Sequence, residues 1–144
     1  MTSLACGRRC NIARGRLRDV RRIYQGLVAS IQNGEHIAFF PEGTTAGQGV
    51  LLPFHANLFE AAIDAQVPIQ PFALRYVNAK GDLHPNVDFV GEMTFAHSMI
   101  AILSGQKIAA HVVILPSIES RDVHRRELAQ KTRNVIADAL GLSV

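Results

Sequence analysis

The chain has 144 residues, is 48% hydrophobic and carries 15 Lys and Arg against 12 Asp and Glu, a formal net charge of +3. This length and composition indicate one globular domain with a sizeable core and exclude a disordered chain. The absence of tryptophan and the low aromatic content, 6%, disfavour a base-stacking platform, and no apolar window approaches the about 18 residues of a membrane-spanning helix.

The positive charge is concentrated at the amino end. The first 22 residues contain seven arginines against one aspartate, a net charge of +6, which leaves the remainder of the chain at −3. A basic end of this kind suits an anionic partner, either a phospholipid surface or a phosphorylated substrate. Nucleic acid is the rival interpretation, but the cluster lacks interleaved aromatic residues and a nucleic-acid-binding motif. Cys6 and Cys10 match neither a redox nor a zinc pattern and are predicted to be free thiols.

Residues 1–11 show no clear periodicity and are expected to be irregular. Apolar residues then recur at intervals of three and four over residues 17–31, which predicts an amphipathic helix. Asn33-Gly34 would end this helix with a left-handed residue. The apolar run 36–40 follows and stops at Pro41-Glu42-Gly43-Thr44. We expect a buried strand that delivers a ligand-binding turn at its carboxyl end, although an ordinary strand-to-loop turn fits the pattern equally well.

The second half of the chain alternates between predicted helices and strands. The expected elements are a helix over about 57–66, a strand over 67–77, a short strand over 87–90, a helix over 95–103, a strand over 107–115, and a helix capped by Ser120 that runs to about Leu140 before Gly141. This alternation predicts a single α/β domain with a mixed or largely parallel sheet flanked by helices. The apolar face of helix 95–103 could contact lipid, but packing on the sheet is favoured.

Four short blocks, in chain order, resemble the glycerolipid acyltransferases, in particular the 1-acyl-glycerol-3-phosphate (lysophosphatidic acid) acyltransferases and their bacterial ornithine-lipid relatives. The blocks are Ile12-Ala13-Arg14, Phe40-Pro41-Glu42-Gly43-Thr44, Leu52-Pro53-Phe54 and Val67-Pro68-Ile69-Gln70-Pro71. The similarity runs from about residue 12 to about residue 76 and is looser beyond. It implies that residues 12–144 form a partial acyltransferase-like α/β domain and that residues 1–11 lie outside the family pattern.

One departure from the family pattern concerns catalysis. The family's catalytic signature is H-x-x-x-x-D, placed upstream of the arginine block, and none of the six histidines here is followed by aspartate at that spacing. We therefore expect no catalytic residue within these 144 residues and a domain that is truncated at its amino end.

Acyl transfer from a thioester to a hydroxyl needs a general base, donors for the oxyanion and an anchor for the acceptor. The resemblance implies that this chain supplies the anchor: Arg14 and the turn residues Glu42, Gly43 and Thr44 would hold the acceptor's glycerol phosphate. Arginine offers the phosphate a bidentate fork, and glycine admits close backbone contact. Because a phosphate would repel a carboxylate, Glu42 is assigned to orienting Arg14 or a glycerol hydroxyl.

The resemblance implies an acyltransferase of phospholipid biosynthesis that uses a lysophospholipid and an acyl donor, either acyl-CoA or acyl carrier protein, with no metal or further cofactor. Together with the basic amino end, it implies peripheral attachment to an anionic membrane surface, at the cytoplasmic face of the inner membrane. Acyl carrier protein is a further candidate partner, and no nucleic acid is expected. The alternatives are a non-catalytic lipid- or phosphate-binding module derived from the same fold, and an unrelated hydrolase or basic binding protein.

Overall fold

The computed structural model describes residues 17–84, 87, 94–105 and 107–143. Four helices and two strands lie in these residues, in the order α1, α2, β1, α3, β2, α4. Their bounds are α1 (Leu17–Gln32), a 3-10 turn (Ala56–Phe59) that runs directly into α2 (Glu60–Asp64), β1 (Phe72–Val77), α3 (Phe95–Ser104), β2 (Ala109–Ile114) and α4 (Arg125–Leu140). The α/β class expected from the sequence is confirmed. The predicted strand 87–90 lies outside the described residues except for Val87.

The sheet differs from the expectation. β1 and β2 pair antiparallel, with Phe72 opposite Ile114 and Val77 opposite Ala109, and an antiparallel bridge between Ile69 and Ile118 continues the pairing. No parallel pairing occurs among the described residues, and residues 35–40 have no regular secondary structure there. The predicted strand 36–40 is therefore wrong for the described chain. A β-strand forms only where a neighbouring strand pairs with its backbone N–H and C=O groups, and an apolar composition does not provide that neighbour.

The core lies between α4 and the 3-10 turn. It is formed by Phe59, Ile118, Leu128 and Ala129, all buried. Phe39 meets Phe59 edge to face with ring centroids 5.5 Å apart, and Phe54 stacks on the same ring at 6.3 Å. Such aromatic pairs stabilise a core by about 0.5–1.5 kcal/mol beyond the burial of their area. Phe39 thus fixes this segment to the core, although the segment does not belong to a strand.

Helices α1 and α4 end at the glycines predicted from the sequence, but α4 begins later than predicted. Gly34 after α1 and Gly141 after α4 adopt left-handed φ values of 81° and 71°, as the sequence predicts. α4, however, begins at Arg125 and not near Ser120. His124 is its N-cap residue and accepts a hydrogen bond from the Arg126 amide, whereas the buried Ser120 hydroxyl lies within hydrogen-bonding distance of the carbonyl oxygens of Ala62 and Val67.

Several apolar side chains of α3 and β2 face outward. Ile100 and Leu103 of α3 are 65% and 76% exposed, and Ile114 of β2 is 74% exposed. The favoured prediction that the apolar face of α3 packs on the sheet is therefore wrong for Ile100 and Leu103, whereas Ser98 of this helix is buried. In the described part of the chain, no helix combines the length and the hydropathy that crossing a membrane requires.

Candidate functional site

The Pro-Glu-Gly-Thr turn (residues 41–44) is held by backbone hydrogen bonds at its start. The Gly43 amide donates to the Phe40 carbonyl at 3.3 Å, and the His55 amide donates to the Pro41 carbonyl at 2.8 Å. Gly43 has φ +69°, a left-handed conformation that glycine adopts without the steric cost of a side chain. Gly43 and Thr44 are both exposed, so the turn presents backbone and a hydroxyl to solvent.

Glu42 is half-buried and points back into the protein. Its Oε2 accepts a hydrogen bond from the Leu52 amide at 2.8 Å. The carboxylate thereby fixes the turn to a second loop ten residues further along the chain. A carboxylate can accept about four hydrogen bonds, so this contact leaves capacity for the predicted role of orienting Arg14 or a hydroxyl. Arg14 itself lies outside the described residues, and its predicted role stays a prediction.

Arg133 of α4 holds the same loop from the other side. Its Nε donates to the Leu52 carbonyl at 3.1 Å, and its Nη2 donates to the Leu51 carbonyl at 2.8 Å. Leu52 is consequently held at its amide by the turn and at its carbonyl by the last helix. The sequence contains no local signal for this contact, because the partners are more than 80 residues apart.

The imidazole of His55 lies directly against Gly43. A Cβ atom added to Gly43 would lie 2.8 Å from His55 Cδ2 and 2.9 Å from Nε2, closer than carbon atoms approach in ordinary contact. His55 has no aspartate at the H-x-x-x-x-D spacing and was therefore not among the site residues predicted from the sequence. The signal that could have identified it is its position immediately after the Leu52-Pro53-Phe54 block.

A phenol-to-carboxylate hydrogen bond ties α1 to α2. The Tyr24 hydroxyl donates to Asp64 Oδ2. Burial of the ring, followed by the hydrogen bond and by the charges of Asp64 and Glu60, raises the pKa of Tyr24 to about 12, since each of these effects disfavours the phenolate. This contact places the helix that follows the Arg14 block against the helix that follows the Phe54 loop.

Three of the four predicted site residues, Glu42, Gly43 and Thr44, are consecutive and lie on one turn. His55 lies against this turn, and Arg133 is connected to it through Leu52. An open groove of about 180 Å³ lies beside this assembly, where Pro53 and Phe54 meet α4 at Arg126, Ala129 and Gln130. Among the described residues, no cluster of His, Cys, Asp and Glu has an arrangement that could hold a metal ion.

Comparison with known proteins gives a consistent set of matches. The acyltransferase family model matches residues 7–75, which include the turn. The chain is 31% identical over 122 residues to the lyso-ornithine lipid O-acyltransferase of Pseudomonas aeruginosa, a match that covers 85% of this chain and 47% of the relative. It is 30% identical over 137 residues to the 1-acyl-sn-glycerol-3-phosphate acyltransferase of Neisseria gonorrhoeae, covering 92% of this chain and 54% of that protein.

A second lyso-ornithine lipid O-acyltransferase, from Rhodobacter capsulatus, is 31% identical over 117 residues, covering 77% of this chain and 42% of the relative. The chain therefore spans about half the length of the curated relatives it matches. No solved structure is significantly similar to it.

Proposed function

Because the chain belongs to the glycerolipid acyltransferase family, we propose that it forms the acceptor-binding part of an enzyme of phospholipid biosynthesis. This enzyme transfers a fatty acyl group from acyl-CoA or acyl carrier protein to the hydroxyl of a lysophospholipid. One observation supports this function above the others: the exposed Gly43 and Thr44 lie on a turn that Glu42 and the His55 amide hold in place. A preorganised turn binds a ligand without first losing its own conformational entropy.

The proposed acceptor is 1-acyl-glycerol-3-phosphate, and lyso-ornithine lipid is the second candidate because both classes of acyltransferase occur among the relatives. The net charge of +6 in the first 22 residues favours the phosphate. In this arrangement Arg14 donates two parallel hydrogen bonds to the phosphate oxygens, and the Gly43 backbone and the Thr44 hydroxyl complete the anchor. The same arginines would draw the protein to an anionic membrane at the cytoplasmic face of the inner membrane.

The residues proposed to bind the acceptor do not include the general base. No histidine of the chain has an aspartate at the H-x-x-x-x-D spacing, so on this proposal the base that removes the hydroxyl proton comes from outside the 144 residues. The same observation supports the second candidate function, a non-catalytic module that binds a lysophospholipid or a phosphate with the same turn.

The test is a two-part experiment on the 144-residue chain. Amide resonances of Gly43 and Thr44 are followed by nuclear magnetic resonance during titration with a short-chain lysophosphatidic acid below its micelle concentration. The matched ligand without phosphate is the corresponding monoacylglycerol. We expect saturable shifts of both amides with the phosphate ligand, weaker shifts with the neutral one, and no acyl transfer from either donor. Equal shifts with both ligands, or none, would contradict the proposed anchor.

Extension of the chain with the in-frame residues encoded upstream separates the two functions. If the extension contains H-x-x-x-x-D and confers acyl transfer to lysophosphatidic acid, the enzyme is supported. If binding persists while no such motif and no turnover are found, the binding module is supported.

A further inference from the structure

We propose that Arg133 of α4 is a positioning residue for the acceptor-binding turn, an inference that rests on the function proposed above for residues 41–44. Two of its guanidinium nitrogens, Nη2 and Nε, donate to the carbonyl oxygens of the consecutive residues Leu51 and Leu52 at 2.8 and 3.1 Å. A planar fork of this kind fixes orientation as well as distance. Arg133 is half-buried, so neither bond is fully screened by water.

The segment that Arg133 holds is a brace, residues 51–55, which is fastened to the turn at two points. The Leu52 amide donates to Glu42 Oε2 at 2.8 Å, and the His55 amide donates to the Pro41 carbonyl, also at 2.8 Å. Movement of the brace would therefore move both the backbone and the carboxylate of the turn. The hydrogen bonds of Arg133 connect this brace to the last helix of the domain.

The helix that carries Arg133 is a firm support. Leu128 is 0% exposed, Ala129 is buried one turn before Arg133, and the Thr132 hydroxyl donates to the Leu128 carbonyl at 2.7 Å. A binding residue is held most precisely when the residues that contact it are themselves fixed by packing and hydrogen bonds. The geometry therefore forms a continuous path from the core through Arg133, Leu52 and Glu42 to the turn.

The experiment compares three variants of the 144-residue chain. Arg133→Met keeps the apolar stem but removes the donors, and Arg133→Lys keeps the charge but replaces the fork with a point charge. Lys131→Met removes an exposed cation from the same helix and is the matched control. Each variant is examined by thermal unfolding, by hydrogen exchange of the Leu52 amide, and by titration with short-chain lysophosphatidic acid.

For Arg133→Met we expect exchange of the Leu52 amide to accelerate and affinity for lysophosphatidic acid to fall, each by roughly tenfold, which corresponds to the loss of one to two hydrogen bonds. Arg133→Lys should recover part of both losses, and Lys131→Met should change neither. An acceleration of Leu52 exchange larger than the fall in the thermal midpoint accounts for is the result that a purely global loss of stability would not produce. If Arg133→Met fails to fold, Arg133→Lys decides the question by the same two measurements.

The possible failures are distinguishable. If the unmodified chain binds lysophosphatidic acid and Arg133→Met binds it equally well, the positioning role is wrong while the proposed function stands. The role is also wrong if Lys131→Met weakens binding as much as Arg133→Met does. If the unmodified chain does not bind lysophosphatidic acid at all, the proposed function fails and the inference fails with it.

Discussion

Substitution of Gly43 by alanine tests the geometry of the turn directly. At φ +69°, an L side chain costs about 1–2 kcal/mol. The new Cβ would also lie 2.8 Å from His55 Cδ2. His55 is exposed and its side chain makes no capping hydrogen bond, so the ring can move away at the cost of an unfavourable rotamer, about 0.5–1.5 kcal/mol. Alanine reduces the entropy of the unfolded chain, which offsets about 0.4–1 kcal/mol.

The net expectation for Gly43→Ala is a loss of about 1–2.5 kcal/mol in the free energy of unfolding. The assay is urea denaturation followed by far-ultraviolet circular dichroism. Gly81→Ala is the matched control, because Gly81 has φ +89° and a Cβ there would meet nothing within 4 Å. It should show the backbone cost without the contact with the ring.

A double-mutant cycle isolates the ring contact. In the Gly43→Ala background, His55→Ala should recover about 0.5–1.5 kcal/mol, the share assigned to displacing the imidazole. If Gly43→Ala and Gly81→Ala cost the same and the two substitutions at positions 43 and 55 are additive, His55 does not lie against the turn and the reasoning is refuted. Gly43→Val should cost more than Gly43→Ala, because a β-branched residue is poorly tolerated at positive φ.

The raised pKa of Tyr24, from 10.0 to about 12, means that the folded state retains the proton more strongly than the unfolded chain. The stability contributed by this group is complete below pH 10 and is lost as pH rises towards about 12; denaturation of Tyr24→Phe should show a smaller decline over this range. In an extended chain that carries out the proposed acyl transfer, Arg14→Ala should reduce kcat/KM for the acceptor by roughly ten- to a hundredfold, about 1.5–3 kcal/mol, and an equal effect of Lys131→Ala would contradict the phosphate anchor. Glu42→Gln retains an oxygen that can accept a hydrogen bond from the Leu52 amide, so hydrogen exchange of this amide should stay slow. Glu42→Ala should accelerate the exchange. Fast exchange in both variants would show that Glu42 does not hold residues 51–55 to the turn. Co-sedimentation with anionic vesicles should weaken as salt is added, and salt-independent binding would instead indicate insertion of apolar side chains.

Local sequence signals predicted the positions of several elements. The three-and-four periodicity located α1, and apolar runs located β2 and the second part of the predicted strand 67–77, in which β1 begins only at Phe72. The glycine stop after α1 was equally visible, since a left-handed residue is a requirement of the backbone at that point. Each of these features depends on residues within a few positions of one another, which is the range over which a sequence pattern carries information.

Features that depend on distant partners were not predictable in this way. The apolar run 36–40 has the composition of a strand, but Phe39 packs on Phe59 and the run pairs with no strand among the described residues. Ser120 is a good capping residue by type, yet its hydroxyl lies buried against two carbonyl oxygens of the α2 region. His124 caps α4 in its place. In each case tertiary contacts prevailed over the local preference.

The contact between Glu42 and Leu52 also bears on the role of the carboxylate in the acyl transfer proposed above. An acceptor hydroxyl has one proton, which the general base must remove in the transition state. A hydroxyl that donates this proton to Glu42 cannot donate it to the base at the same time. The bond from Leu52 to Oε2 already gives the carboxylate a structural partner inside the protein. The remaining acceptor capacity is therefore better matched to a donor that keeps its protons throughout the reaction, which favours Arg14 over the hydroxyl as the group that Glu42 orients.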